Sequence, residues 1–88
     1  MFRLWGKVIK DNRLLKDIVI SDDDPSHTRT QRIFGAVEEI SRQFDLPVPI
    51  WLDANIKDIK SHKKTRFRAD NFIEEPDFDY LEIIILEE

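Results

Sequence analysis

The chain has 88 residues and a net charge of −4, with 41% hydrophobic and 36% charged residues. That describes one small ordered domain whose core is just large enough to fold unaided, with net stability of about 5 kcal/mol. It contains no cysteine, which excludes disulfides, thiolate metal sites and cysteine catalysis, and it has only two glycines with which to cradle a phosphate.

Residues 2–20 predict a β-hairpin. Two apolar-rich runs, Phe2–Ile9 and Leu14–Ile20, flank Lys10-Asp11-Asn12-Arg13, and Asp-Asn tolerates the positive φ of a tight turn. Two registers compete. A two-residue loop pairs Leu4 with Val19 and Val8 with Leu15, but sets Lys7 against Lys16. A three-residue loop pairs Trp5 with Val19, Ile9 with Leu15 and Lys7 with Asp17, which gives the better charges. Both leave apolar groups on both faces. Gly6, inside the first strand, signals a bulge or a close backbone approach.

Ser21–Pro25 is an acidic turn into the clearest helix, spanning about 26–44. Asp24 before Pro25 offers one N-cap, and Thr28-Arg29-Thr30-Gln31 offers a capping box one turn later. Ile33, Val37, Ile40 and Phe44 form its apolar stripe, widened by Phe34 and Ala36, and the prolines at 47 and 49 stop it. After Ile50-Trp51-Leu52, Asp53 can cap a shorter helix to about His62. Lys64–Arg68 alternates as a charge-protected edge strand would, although a loop fits it equally. Phe72 and Ile73 are expected core anchors in the following connection.

The last strand, Asp79–Leu86, carries Leu81, Ile83 and Ile85 on one face and Tyr80, Ile84 and Leu86 on the other, where only Glu82 interrupts. A strand apolar on both sides needs cover on both sides. The expected fold class is therefore α+β. Two layers are expected, an antiparallel sheet of three to four strands (N-terminal hairpin plus C-terminal strand) packed against one long and one short helix in the order β-β-α-α-(β)-β. The second helix or a dimer would cover the remaining sheet face.

Charge is uneven along the chain. Lys57, Lys60, Lys63, Lys64, Arg66 and Arg68 stand against Asp58 alone, while no basic residue follows Asp70. The basic stretch is a candidate anion-binding or nucleic-acid surface, with Phe67 as an exposed ring for stacking. The plainer reading is a solvated face balanced by the acidic C-terminal region. Asp22-Asp23-Asp24 with His27 could imitate a metal cluster, but negative charge at a helix N-terminus is its ordinary role, and the EF-hand pattern is absent. His62 and the pairs Glu74-Glu75 and Asp77-Asp79 are the other acid–base candidates. No GxSxG, HExxH or Gly-rich loop accompanies them, so no enzyme, metal or cofactor is expected.

Among the large aromatics Trp5, Trp51, Phe67 and Tyr80, an exposed subset would mark an interface. Trp5, Ile9, Trp51 and Tyr80 are the interface candidates, with Trp5 preferred because its hairpin is apolar on both faces. The expectation is a non-catalytic protein-interaction or self-associating module, with a protein partner or homodimer, no membrane and a cytoplasmic location. Polyanion binding through residues 57–68 is the alternative. The run Phe2-Arg3-Leu4-Trp5-Gly6-Lys7-Val8-Ile9-Lys10-Asp11-Asn12, with Pro49-Ile50-Trp51-Leu52-Asp53, resembles a group of short uncharacterised bacterial proteins. The resemblance implies a stand-alone protein and no particular mechanism.

Overall fold

A computed structural model describes residues 1–88. The order is β1 (Phe2–Lys10), β2 (Arg13–Asp22), α1 (Arg29–Gln43), α2 (Asp53–His62), β3 (Lys64–Phe67) and β4 (Tyr80–Glu87). A 3₁₀ turn, Ala69–Asn71, follows β3. The four strands form one antiparallel sheet in the order β2-β1-β4-β3, so the last strand lies between the hairpin and the short strand. β3 is a strand, as its alternation suggested: Thr65 and Phe67 are buried while Lys64 and Arg66 are exposed.

The hairpin combines both candidate registers. Asp11 and Asn12 adopt φ of 52° and 62°, so the loop has two residues and the left-handed pair that matches strand twist. Further along, Trp5 pairs with Val19 and Lys7 with Asp17, the register expected of a longer loop. A bulge reconciles them: Val8 pairs with Lys16 and Ile9 with Leu14, leaving Leu15 as the extra residue.

The core lies between the sheet and the helices. Phe2, Leu4 and Val8 of β1, with Leu81, Ile83 and Ile85 of β4 and Phe67 of β3, face Ile33, Ala36, Val37 and Ile40 of α1 and Ile59 of α2. At Gly6 the backbone of β1 runs close against α1. A Cβ built there would lie 2.6 Å from Ile40 Cδ1, so the glycine makes room for the helix and no bulge occurs at it. Phe72 and Phe78 close one end of the core with an edge-to-face contact at 5.7 Å.

Both helices begin and end for local reasons. Thr28, not Asp24, caps α1: its Oγ1 accepts from Gln31 N and Gln31 Oε1 accepts from Thr28 N. At the other end Asp45 has φ 55°, and Leu46 N donates to Ser41 O, which closes a Schellman turn before the prolines. Asp53 is the first residue of α2 and does not cap it; Asn55 Oδ1 instead accepts from Leu52 N. Two other expectations fail. Ile73 is 89% exposed, so of these two residues only Phe72 anchors the connection. Phe67 is fully buried under Trp51, so it cannot stack on a base.

Candidate functional site: the open face of the sheet

Because side chains alternate along a strand, the residues opposite the core form a second surface. α1 and α2 both pack on the core side, and no helix lies on this one. The observed register arranges it in three rows that cross the sheet from β2 to β3. The first is Val19, Trp5, Ile84 and Lys64; the second is Asp17, Lys7, Glu82 and Arg66; the third is Leu14, Ile9 and Tyr80. Two mainly apolar rows therefore flank a charged one.

The charged row is tightly made. Glu82 Oε1 lies 3.1 Å from Lys7 Nζ, and Arg66 Nε donates to Oε2 at 2.8 Å. The carboxylate is buried, which pushes its pKa up, but the bonds from Arg66 and Lys7 prevail and hold it below the usual carboxylate value. Asp17 Oδ2 accepts from Trp5 Nε1 at 2.8 Å, fixing the indole, and Lys7 Nζ sits 4.4 Å from that ring's centre. Arg66 and Arg68 lie over Tyr80 at 4.4 and 5.6 Å. The face is thus a set of oriented side chains, with Trp5, Ile9, Tyr80 and Ile84 half-buried and Leu14 and Val19 exposed.

Three of the four interface candidates, Trp5, Ile9 and Tyr80, meet on this face. Trp51 does not. It stacks on Phe34 at 4.9 Å and meets Phe67 edge-on at 4.9 Å, on the helix side of the sheet. There it lines a 260 Å³ groove between α1 and α2 with Ile33, Ile56 and Ile59.

The basic stretch is divided by the fold. Lys57 and Lys60 belong to α2, Lys63 ends that helix with φ 58° and pairs with Glu88, and Lys64 and Arg66 belong to the open face. Between α2 and β3 runs a groove of about 410 Å³ whose walls include His62, Lys64, Arg66 and Arg68 but also Asp58, Asp70 and Glu82. With three cations against three carboxylates, its walls carry no net charge if His62 is neutral. An anion gains little from such balance.

Under that groove lies a polar cluster with no signal in the sequence. Buried Asn55 donates to Thr65 Oγ1 and Arg66 O, and its Oδ1 accepts from Asn71 Nδ2 at 2.7 Å; Thr65 Oγ1 donates to Asp58. Asn71 also donates to Ile50 O. The cluster joins α2, β3 and the 3₁₀ turn and has its hydrogen bonds satisfied internally, which marks it as structural. In the acidic turn, Asp22 Oδ2 and His27 Nδ1 are 2.8 Å apart, which raises the pKa of the imidazole and lowers that of the carboxyl. Asp24 accepts from Ser26 N and Oγ.

No helix is long and apolar enough to cross a membrane. The chain matches no family model, no curated protein and no solved structure.

Proposed function

We propose that this chain is a small, non-catalytic protein-interaction module whose docking surface is the open face of the sheet. One observation carries the reading. Six apolar side chains, Val19, Trp5, Ile84, Leu14, Ile9 and Tyr80, line a sheet face that no element covers. Solvent-facing apolar side chains bordered by polar groups are a feature of interaction sites, and here two such rows flank the charged one. Hydrogen bonding and ion pairing hold Trp5, Lys7 and Arg66 in place, so they lose little freedom when a partner arrives. The bacterial cytoplasm belongs to the same proposal as the place of action.

Polyanion binding along Lys57–Arg68 has less behind it, because Phe67 is buried and the neighbouring groove has balanced charge.

Photo-crosslinking in the native host tests the reading. A photoreactive residue is placed at Leu14, on the open face, or at Lys57, on the solvent side of α2. Protein adducts are expected from position 14 and not from position 57. A chain that gives no adduct at 14 does not dock through this face.

A further inference from the structure

We infer that the occupant of the open face is a second copy of this chain, packed sheet against sheet about a two-fold axis running along the strands between β1 and β4. This rests on the reading of that face as the docking surface, and it adds the identity and orientation of the partner.

The argument is one of charge order. From β2 to β3 the middle row reads Asp17, Lys7, Glu82, Arg66, that is negative, positive, negative, positive. A two-fold along the strands lays β2 of one copy over β3 of the other, and β1 over β4, while each row keeps its level. The row then meets its own reverse. Asp17 faces Arg66, and Lys7 faces Glu82, twice each. In the apolar rows the same operation sets Trp5 on Ile84 and Ile9 on Tyr80.

The perpendicular two-fold keeps every strand over its own counterpart. It would oppose Asp17 to Asp17, Lys7 to Lys7, Glu82 to Glu82 and Arg66 to Arg66. Like charges across an interface suppress such a pairing, so the same four residues favour one orientation and reject the other. The favoured one keeps the two strand directions within about 30°, the aligned packing of β-sandwiches. The row is neutral in sum, and Glu82 is already buried in the single chain, so most of its desolvation occurs on folding.

In this arrangement Val19 of one copy faces Lys64 of the other. Val19→Lys therefore creates two symmetry-related lysine–lysine contacts. Adding Lys64→Glu to the same chain turns both into lysine–glutamate contacts. Within one chain positions 19 and 64 lie on opposite edges of the sheet, three strand spacings or roughly 14 Å apart, so rescue must act between copies. Both side chains are exposed, which spares the core, and a thermal melt of each variant confirms folding.

Sedimentation equilibrium over a concentration series reads the outcome. The wild type is expected to dimerise. V19K should raise Kd roughly 100-fold, about tenfold for each of the two contacts, and V19K/K64E should return it to within about tenfold of wild type. A wild type that stays monomeric at millimolar concentration overturns self-pairing, whereas adducts from position 14 to a different protein would leave the docking face standing. A dimer indifferent to V19K lies elsewhere, and the inference falls; a lack of adducts at 14 would then remove the docking reading as well. A dimer weakened by V19K but not restored by K64E keeps the face and overturns the lengthwise axis.

Discussion

Gly6→Ala tests the fit between sheet and helix where β1 lies against Ile40. The added methyl would stand 2.6 Å from Ile40 Cδ1 and 3.3 Å from both Cγ1 and Cγ2. Cδ1 is the far end of that side chain and could swing about χ2, but Ile40 is fully buried, so its neighbours leave it little room. Overpacking of this kind costs about 1–3 kcal/mol, and the loss of glycine's extra unfolded-state entropy returns roughly 0.5 kcal/mol. The net expectation is a destabilisation of about 0.5–2.5 kcal/mol, seen as a fall in Tm of roughly 2–20 °C. The partner substitution is Ile40→Val, which deletes the atom that collides. In the wild-type background it leaves a void and should cost about 1 kcal/mol. With alanine at position 6 the new methyl occupies that void, so the same change should be neutral or stabilising. Thermal and urea denaturation of the four proteins gives the coupling directly. If G6A is as stable as wild type, or if the two costs simply add, the close approach of β1 and α1 is not what selects glycine at position 6.

Gly35 is the contrasting case. It lies within α1, is exposed and has nothing within 4 Å of a built Cβ, so Gly35→Ala should raise stability by about 1 kcal/mol in a urea titration. Asn55→Ala removes the residue that bonds Thr65, Arg66, Asn71 and Leu52, leaving buried groups without partners. A loss of about 2–3 kcal/mol by chemical denaturation is expected, a large share of what so small a domain has. The folded-state pKa of Glu82 is depressed, so its ion pairs contribute stability above its ordinary value of 4.5, and that contribution is lost as pH falls through the folded value. Glu82→Gln should therefore be less stable than wild type at pH 7, and urea midpoints of the two should converge as the buffer is acidified through this range.

Much of the fold is legible in the sequence because its signals are local. The stripe Ile33-Val37-Ile40-Phe44 specifies a helix and its inward side, while the Thr28–Gln31 box and the alternation of Lys64–Phe67 each offer one of two readings, and the chain adopts both. The hairpin register was not decidable from pairing arithmetic, since the turn and the strands obey different counts and only the bulge at Leu15 satisfies both. Phe72 and Ile73 show the same limit: two adjacent apolar residues give no sign of which one the chain will turn inward. Of the site, Glu82 carried the clearest trace as the one charge on the second face of β4. Its partners Lys7 and Arg66 came from strands whose order the sequence did not specify. Trp51, like Trp5, is a large aromatic beside aliphatic residues, which makes it an interface candidate by sequence even though the two-faced hairpin favours Trp5. What separates them is which side of the sheet receives α1. The asparagine cluster left no trace, since asparagine in a helix start or a turn reads as ordinary surface.

The extra residue in β2 also bears on how the molecule grows or fails to grow. β2 is the outer strand of the sheet on one side, ten residues long, and it would otherwise offer an extended template for chain-to-chain addition. At Leu15 the two-for-one count bends the strand and shifts its alternation by one residue. An incoming extended segment that matches Ile18–Asp22 is therefore out of phase with Arg13 and Leu14. Continuous addition in one register is confined to Lys16–Asp22 and does not run the length of the strand. A single extra leucine thus divides the edge into two phases, whereas the open face offers contact across all four strands.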